Sequence, residues 1–242
     1  MPCATCRSKF CAARMFLIVW RKSCFTEGMM RCFDRFRNVD GLATVGLLLW
    51  LGVSLVATLY ELYSSGGDWL HTAGKLANIG FLGLLLALVW QRPTPSAKAD
   101  GVWPRVSGVA AVALPACASA LPKAEFSPVL VSVSAVLVVG GICGAIYVVW
   151  WLGRNFSIFA QARGLVTAGP YRFVRHPLYL AEAFVVLGGL LAYQMPLALL
   201  LFGVVIANQF WRMHYEEQVL SAAFPDYKAY AERTARILPG MY

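Results

Sequence analysis

Charged side chains are scarce in this chain: only 14% of its 242 residues are Asp, Glu, Lys or Arg, whereas 59% are hydrophobic. Soluble domains average about 25% charged and about 45–50% apolar residues. An ordinary soluble domain is therefore excluded, and the missing charge predicts a protein embedded in lipid. Acidic residues are the scarcer sign, with 12 against 21 basic residues. The basic excess fits contact with anionic lipid and requires no nucleic acid partner.

The chain also lacks the strict polar–apolar alternation that a membrane β-barrel requires. It has long apolar runs instead, and about 17–25 mostly apolar residues are enough for a spanning helix. The runs that qualify or come close are residues 42–62, 74–90, 106–121, 128–152, 177–193 and 195–211. We therefore predict an all-α, polytopic integral membrane bundle of about six transmembrane helices, with a C-terminal helical hairpin and a cytoplasmic tail.

Basic residues fall almost entirely on one side of these predicted spans. All Lys and Arg residues except Lys75 and Lys123 lie before the first span or after the second, fourth and sixth spans. Cytoplasmic loops carry an excess of Lys and Arg. This distribution predicts a multi-pass membrane protein with both termini in the cytoplasm.

The predicted organisation has three parts. Residues 1–40 form a basic, Cys-rich cytoplasmic tail, residues 41–155 hold four transmembrane helices, and residues 156–242 form a C-terminal region with a helical hairpin, in which the candidates for chemistry lie. In the tail, Cys3 and Cys6 have the spacing of half a zinc site, but no second pair at ligand spacing follows, so no metal site is predicted. We expect this tail to be flexible, and Met29 and Met30 are alternative starts to Met1.

The basic segment that ends in Arg175-His176-Pro177 is the first candidate for chemistry. Pro177 suits the first position of a helix, where its missing N–H is not needed, and a Gly-Pro turn signal lies shortly before it at residues 169–170. The free N–H groups of residues 178–180, beside two basic side chains, favour binding of an anion. The alternative is a loop that only anchors to lipid headgroups.

A second candidate lies at the end of the sixth span, where the helical pattern continues to about Leu220. Asn208, Arg212 and Glu216 recur every four residues and therefore share one helix face. One interpretation is an ordinary surface ion pair between Arg212 and Glu216. The other is a functional site in which the adjacent acids Glu216 and Glu217 face the basic segment.

A third piece follows this helix. Phe224, Tyr227 and Tyr230, at three-residue spacing, predict an amphipathic cytoplasmic helix. Such a helix either lies on the membrane surface or covers a pocket as a lid.

Small residues in the fourth span predict close packing between helices. Gly140 and Gly144 form a small-xxx-small pair, a pattern that lets two helix backbones approach closely.

The three pieces, in this order, resemble the signature of a superfamily of membrane methyltransferases that contains the isoprenylcysteine carboxyl and phospholipid methyltransferases. The matching residues are Gly169-Pro170-Tyr171, Arg175-His176-Pro177-Leu178-Tyr179, Glu216-Glu217-Gln218-Val219-Leu220 and the segment from Phe224 to Pro239. The resemblance covers roughly residues 160–242. Where the family commonly has a glycine two residues after the motif tyrosine, this chain has Ala181, followed by Glu182.

The resemblance implies an S-adenosylmethionine-dependent methyltransferase that acts on a lipophilic acceptor, first of all the carboxylate of an isoprenylcysteine-like substrate. The residues it implies for the cofactor are Gly169, Pro170, Tyr171, His176, Pro177, Tyr179 and Glu216. The residues it implies for catalysis are Arg175, Glu217 and Arg236, with the two arginines facing the acceptor. A carboxylate acceptor is ionised at neutral pH and needs no base, whereas an amine or thiol would need one, with His176 or Glu217 in that role.

Other functions stay open at this point. Within the superfamily, a phospholipid amine or a thiol is an alternative acceptor. A membrane NADPH-dependent reductase of the sterol-reductase type has a related motif, in which Glu182 matches a glutamate but Leu178 and Ala181 depart from it. A non-catalytic scaffold or transporter subunit is the third possibility, although the lack of charged residues in mid-membrane argues against an ion pathway.

Overall fold

The computed structural model describes residues 39–64, 69–91, 93, 95–122, 127–191 and 193–238. Almost all of the predicted tail, with the cysteine pair and the alternative starts, lies outside these residues. The chain divides into two compact units between Trp50 and Leu51. The candidate site lies in the second unit.

Seven α-helices form the described part of the chain. They are α1 (Val39–Ser64), α2 (Trp69–Gln91), α3 (Trp103–Ala116), α4 (Pro128–Leu152), α5 (Pro177–Leu190), α6 (Leu197–Ala223) and α7 (Tyr227–Arg233). Short 3-10 turns follow α3 (Cys117–Ala120), follow α4 (Gly153–Asn155) and precede α5 (Gly169–Arg172). Two short strands, β1 (Ala97–Lys98) and β2 (Gln161–Ala162), pair antiparallel.

Four of these helical segments are long and apolar enough to cross a membrane: Val45–Ser64, Thr72–Gln91, Pro128–Asn155 and Leu197–Ala223. Large apolar side chains such as Val136 and Leu200 are exposed on them, at 66% and 67%. Contiguous exposed apolar surface of this kind marks contact with a membrane. The predicted all-α, polytopic membrane fold is confirmed.

The other two predicted spans are 14-residue helices, α3 and α5. Each is about 21 Å long, which is shorter than the roughly 30 Å hydrocarbon core of a bilayer. Both nevertheless run between opposite ends of the bundle. At one end β1 pairs with β2, and the Arg154 Nε–H donates to the Gln91 carbonyl at 2.8 Å. At the other end the Gln194 N–H donates to the Pro122 carbonyl at 3.0 Å, so α3 and α5 connect the two ends despite their length.

The closest helix pair in the described region is formed by α4 and α5, and glycine makes that approach possible. A Cβ atom on Gly141 would lie 2.9 Å from the Ala181 carbonyl oxygen, and one on Gly188 would lie 2.9 Å from the Ser134 carbonyl oxygen. The Ser134 hydroxyl also donates to the Gly188 carbonyl at 2.7 Å.

Of the two glycines predicted to allow close helix packing, Gly140 and Gly144, only Gly144 lies near α5. Gly140 has no neighbouring atom within 4 Å of the position a Cβ would take, because it lies on another face of α4. A Cβ on Gly144 would lie 3.6 Å from the Cβ of Ala181. Small residues on α4 therefore leave room for the alanine that stands where the family commonly has glycine.

Candidate functional site

The segment before α5 is held in place by a glycine. Gly169 has a φ of +63°, a conformation that side chains rarely adopt, and it opens the 3-10 turn Gly169–Arg172. A Cβ at this position would clash with the Trp151 ring at the end of α4. The predicted Gly169-Pro170 turn is therefore present and packs against Trp151.

Backbone hydrogen bonds join this segment to the region after α7. Val174 and Ala235 form a parallel bridge, the Arg175 N–H donates to the Ala235 carbonyl at 2.8 Å, and the His176 N–H donates to the Arg236 carbonyl at 3.0 Å. These bonds bring Arg236 beside Arg175 and His176, although the two pieces are about 60 residues apart in sequence.

Across from His176, Glu217 on α6 collects three cationic or polar partners. His176 Nε2 lies 3.0 Å from Glu217 Oε1, Arg175 Nη1 lies 3.5 Å from Oε1, and Arg236 Nη2 lies 3.1 Å from Oε2. Two guanidinium groups thus share one carboxylate. The Nε atoms of Arg175 and Arg236 are buried and have no hydrogen-bond partner in the described residues.

One helical turn deeper, Tyr179 faces Glu216. The tyrosine hydroxyl donates to Glu216 Oε1 at 2.5 Å, and Glu216 Oε2 lies 3.9 Å from His176 Nδ1. Arg212 Nη2 lies 4.0 Å from Glu216 Oε1, and the guanidinium stacks over the Tyr179 ring at 4.9 Å.

An ordinary surface pair, one of the two interpretations of Arg212 and Glu216, does not describe this arrangement. The side chain of Arg212 is only 9% exposed, and its Nη2 donates to the Ile158 carbonyl at 2.9 Å. Because α6 packs on the connection after α4, this guanidinium is enclosed by protein instead of facing solvent.

A third pair lies deeper still. Gln209 on α6 is buried and donates from Nε2 to Glu182 Oε2 at 3.4 Å, and its neighbour Asn208 donates to the Ser107 carbonyl at 3.1 Å. The three cross-helix pairs, His176–Glu217, Tyr179–Glu216 and Glu182–Gln209, form what we call the polar ladder. His176–Glu217 is its outer end, and Glu182–Gln209 is its inner end. Sequence reasoning missed the third pair, although Glu182 at three residues beyond Tyr179 shares its helix face.

The tyrosines near the ladder are protonated donors. Burial raises the pKa of Tyr171 well above its usual range, and the nearby charges of Glu216, Tyr230 and Glu182 raise it further. Burial also raises the pKa of Tyr230 to about 12, against a smaller opposing effect of Arg175. The Tyr230 hydroxyl donates to the Tyr171 carbonyl at 2.6 Å, which fastens α7 to the turn before α5.

The predicted helix after the sixth span is present but begins later than its aromatic spacing suggests. It starts at Tyr227, while Phe224 ends α6 and is bonded through its N–H to the Leu220 carbonyl. Tyr227 is buried, and Tyr230 contacts the turn before α5, so α7 covers the outer end of the ladder. A lid over a pocket and a helix on the membrane surface both stay predictions.

The structure brings most of the predicted site residues together. Arg175, His176, Tyr179, Glu216, Glu217 and Arg236 form the two outer pairs and their ion pairs. Pro177 begins α5, and Tyr171 lies near Glu216. Of the N–H groups of residues 178–180 that were predicted to be free, that of Leu180 is not, because it donates to the His176 carbonyl at 3.4 Å.

Comparison with known proteins adds one finding. Residues 128–227, from the start of α4 to the first residue of α7, match a family described as phospholipid methyltransferase. No curated protein matches the chain. The matched segment contains all three pairs of the polar ladder, and it extends further toward the N-terminus than the motifs quoted above.

Proposed function

We propose, from the match of residues 128–227 to the phospholipid methyltransferase family, that the chain is a membrane methyltransferase that transfers a methyl group from S-adenosylmethionine to a lipophilic acceptor. Members of the family generally use S-adenosylmethionine. This cofactor supplies a methyl group already activated on a sulfonium, so the protein mainly contributes alignment and the placement of charge. The ladder offers groups for both tasks.

The observation that carries this proposal is the cluster around Glu217. Arg175 and Arg236 both pair with this one carboxylate, which leaves an excess positive charge and two buried Nε–H groups that have no partner among the described residues. A buried polar group without a partner costs about 1–3 kcal/mol, so such donors are suited to a ligand. The carboxylate of the cofactor's methionine part fits both the charge and the donors.

This assignment changes the role of the two arginines. The resemblance implies that Arg175 and Arg236 face the acceptor, with His176 on the cofactor. In the structure all three share Glu217, so we assign them to one ligand group, the cofactor carboxylate. Glu217 is then a positioning residue that holds the donors in place.

The second pair suits the cationic groups of the cofactor. Glu216 accepts a hydrogen bond from Tyr179 and is 22% exposed, so part of the carboxylate remains open to a ligand. An ionised acceptor bonded to a cationic donor makes a strong, short hydrogen bond. The turn from Gly169 to Tyr171 lies beside this pair and is assigned to the cofactor as well.

A carboxylate is the first candidate for the acceptor, as in an isoprenylcysteine-like substrate. His176 lies between Glu216 and Glu217, and Glu217 is shared with two arginines, so neither predicted base is free to take a proton. A carboxylate acceptor needs no base. The apolar part of the substrate would lie along α5 and α6, where Phe184 and Leu199 are exposed.

A phospholipid amine is the second candidate. Two observations favour it: the description of the matching family, and Glu182, a half-buried carboxylate at the ladder's inner end that would attract an ammonium group. Assays with a prenylcysteine carboxylate, a phosphatidylethanolamine and a hydrophobic thiol, each with labelled cofactor, distinguish these acceptors. Label in the base-stable phospholipid fraction would favour the amine, and base-labile methyl ester would favour the carboxylate.

Binding of labelled S-adenosylmethionine to the detergent-purified full chain tests the proposal itself. We expect saturable binding that unlabelled S-adenosylmethionine displaces and NADPH does not. Displacement by NADPH alone would support the reductase alternative, and binding of neither would favour a non-catalytic membrane protein.

Orientation in the membrane is part of the proposal. We propose that the ladder's outer end and both termini face the cytoplasm, since all Lys and Arg residues except Lys75 and Lys123 lie on that side of the predicted spans. Reporter fusions at Ala97 and Arg163 should then report a cytoplasmic position, and fusions at Ser65 and Leu121 a non-cytoplasmic one. A cytoplasmic signal at Leu121 would contradict the six-span topology.

A further inference from the structure

Glu182 is the deepest ionisable group of the polar ladder. It lies six residues beyond His176 on α5, which is about 9 Å along the helix axis. Its hydrogen bond comes from the neutral amide of Gln209, at 3.4 Å. A carboxylate at this depth of a membrane helix is costly unless a cation accompanies it, and such groups mark functional sites.

Charge is distributed unevenly along the ladder. At the outer end, two guanidinium groups, Arg175 and Arg236, face one carboxylate, Glu217. Further in, two carboxylates, Glu216 and Glu182, share one guanidinium, Arg212, whose charge acts on both. With its carboxylates ionised, the ladder therefore has an excess positive charge outside and an excess negative charge inside.

Arg212 is held in place by groups other than Glu182. Its Nη2 is held by the Ile158 carbonyl at 2.9 Å, and its guanidinium stacks on the Tyr179 ring. The side chain is buried between α6 and the connection after α4, so its position is fixed by groups other than the carboxylates. The shortage of cationic partners at the inner end, with one guanidinium for two carboxyl groups, is thus a property of the fold.

From this distribution we infer that Glu182 recognises the sulfonium charge of the bound methyl donor, and so makes the site distinguish S-adenosylmethionine from its demethylated product, S-adenosylhomocysteine. The inference rests on the proposed function. Donor and product share the carboxylate, the ammonium and the adenosine, and they differ by the methyl group and the positive charge on sulfur. A carboxylate near the sulfur is the group that can separate the two by charge.

This role gives the inner end a function in turnover. The ammonium and the sulfonium of the donor add two positive charges to those of Glu216, Glu182 and Arg212. The sum of these charges is then positive, and an anionic acceptor balances it. After transfer the sulfur is neutral, and Glu182 loses its cationic partner. The product is then held less tightly than the donor, which favours its release.

Binding measurements on the purified full chain test the inference. The dissociation constants of S-adenosylmethionine and S-adenosylhomocysteine are measured by calorimetry for the wild type and for Glu182→Gln, which removes the charge and keeps the shape. We expect about a tenfold loss of donor affinity and less than about a twofold change for the product, as for a charge–charge interaction that only the donor makes. Glu182→Asp, which keeps the charge, should retain most of the donor preference.

Two control variants fix the interpretation. Glu232→Gln removes the same charge from an exposed position of α7 and should change neither affinity. Glu217→Gln acts on the outer end, which donor and product share, and should weaken both by a similar factor. If Glu182→Gln weakens both ligands equally, or neither, in a protein with wild-type thermal stability, the inference is wrong. If the wild type binds neither ligand, the proposed function fails instead.

Discussion

Helix α5 presents two different faces to its two neighbours. Toward α4 it packs backbone to backbone, with Gly141 and Gly188 at the points of closest approach. Toward α6 it presents His176, Tyr179 and Glu182, which reach across through long polar side chains. One helix thus joins a closely packed contact to the set of polar groups that we assign to a ligand.

The difference between the two faces of α5 indicates which residues determine stability and which determine binding. Closely packed backbones have no room for an added atom, because interiors are packed as densely as organic crystals. The polar face depends on the charge and reach of its side chains, and many of its hydrogen bonds could be replaced by bonds to a ligand. Substitutions on the α4 side should therefore change folding, and substitutions on the α6 side should change binding.

The largest effect is expected on the α4 side. A Gly141→Leu substitution places a side chain where even a Cβ would lie 2.7 Å from Val185 Cγ2. Overpacking of this kind typically costs about 1–3 kcal/mol, and more when backbone must move. Thermal unfolding in detergent should show a large loss of stability or no folded protein. The matched control is Gly140→Leu on the neighbouring residue, which has open space and should unfold near the wild-type temperature.

Removing a side chain of the polar ladder should weaken cofactor binding strongly and lower thermal stability only slightly. His176→Ala and Glu216→Ala should each weaken S-adenosylmethionine binding by about ten- to a hundredfold, as expected for hydrogen bonds to charged groups. Their thermal stability should fall much less than that of Gly141→Leu. The comparison between the two faces would break down if either variant bound the cofactor normally, or if both failed to fold.

Arg175→Lys is a finer test of the outer cluster. Lysine keeps the charge but lacks the planar fork and the buried Nε–H that has no partner in the described residues. We expect about a tenfold loss of S-adenosylmethionine affinity, measured by calorimetry, with a parallel loss for S-adenosylhomocysteine. Normal affinity for both ligands combined with slow turnover would return Arg175 to the acceptor, as the resemblance implies.

The smallest effect is expected from Ala181→Gly, which restores the residue common in the family. The Ala181 Cβ has ordinary contact room against Gly144, so its loss opens little space. Glycine inside a helix costs about 0.5–1 kcal/mol relative to alanine. A small drop in unfolding temperature with unchanged cofactor affinity would agree with the division of α5 into two faces. A clear change in affinity would show that the α4 contact also sets the site.

Much of the fold could be predicted from apolar runs, since α4 begins at Pro128 and ends at Leu152, as the run does. Predictions were less accurate where tertiary contacts decide the boundary: α5 ends at Leu190, short of the predicted residue 193. The contacting glycine on α4 was missed by one residue, because a small-xxx-small pattern does not say which face meets a neighbour.

For the site, the local motifs at Arg175-His176 and Glu216-Glu217 were sufficient to predict which residues meet. The Glu182–Gln209 pair and the burial of Arg212 were not predicted. They depend on the register between α5 and α6 and on the Ile158 carbonyl, which only the folded chain defines.

The backbone bridge between Val174 and Ala235 has a consequence for the order of biogenesis. Helices α2 and α4 can enter the membrane while synthesis continues, since the contact between them needs nothing from later residues. The cluster around Glu217 is different, because the backbone N–H of His176 donates to the carbonyl of Arg236. A nascent chain that ends before residue 235 can therefore have all its long helices inserted and still lack cofactor affinity. Ribosome-stalled chains of increasing length would show this affinity emerging in one late step.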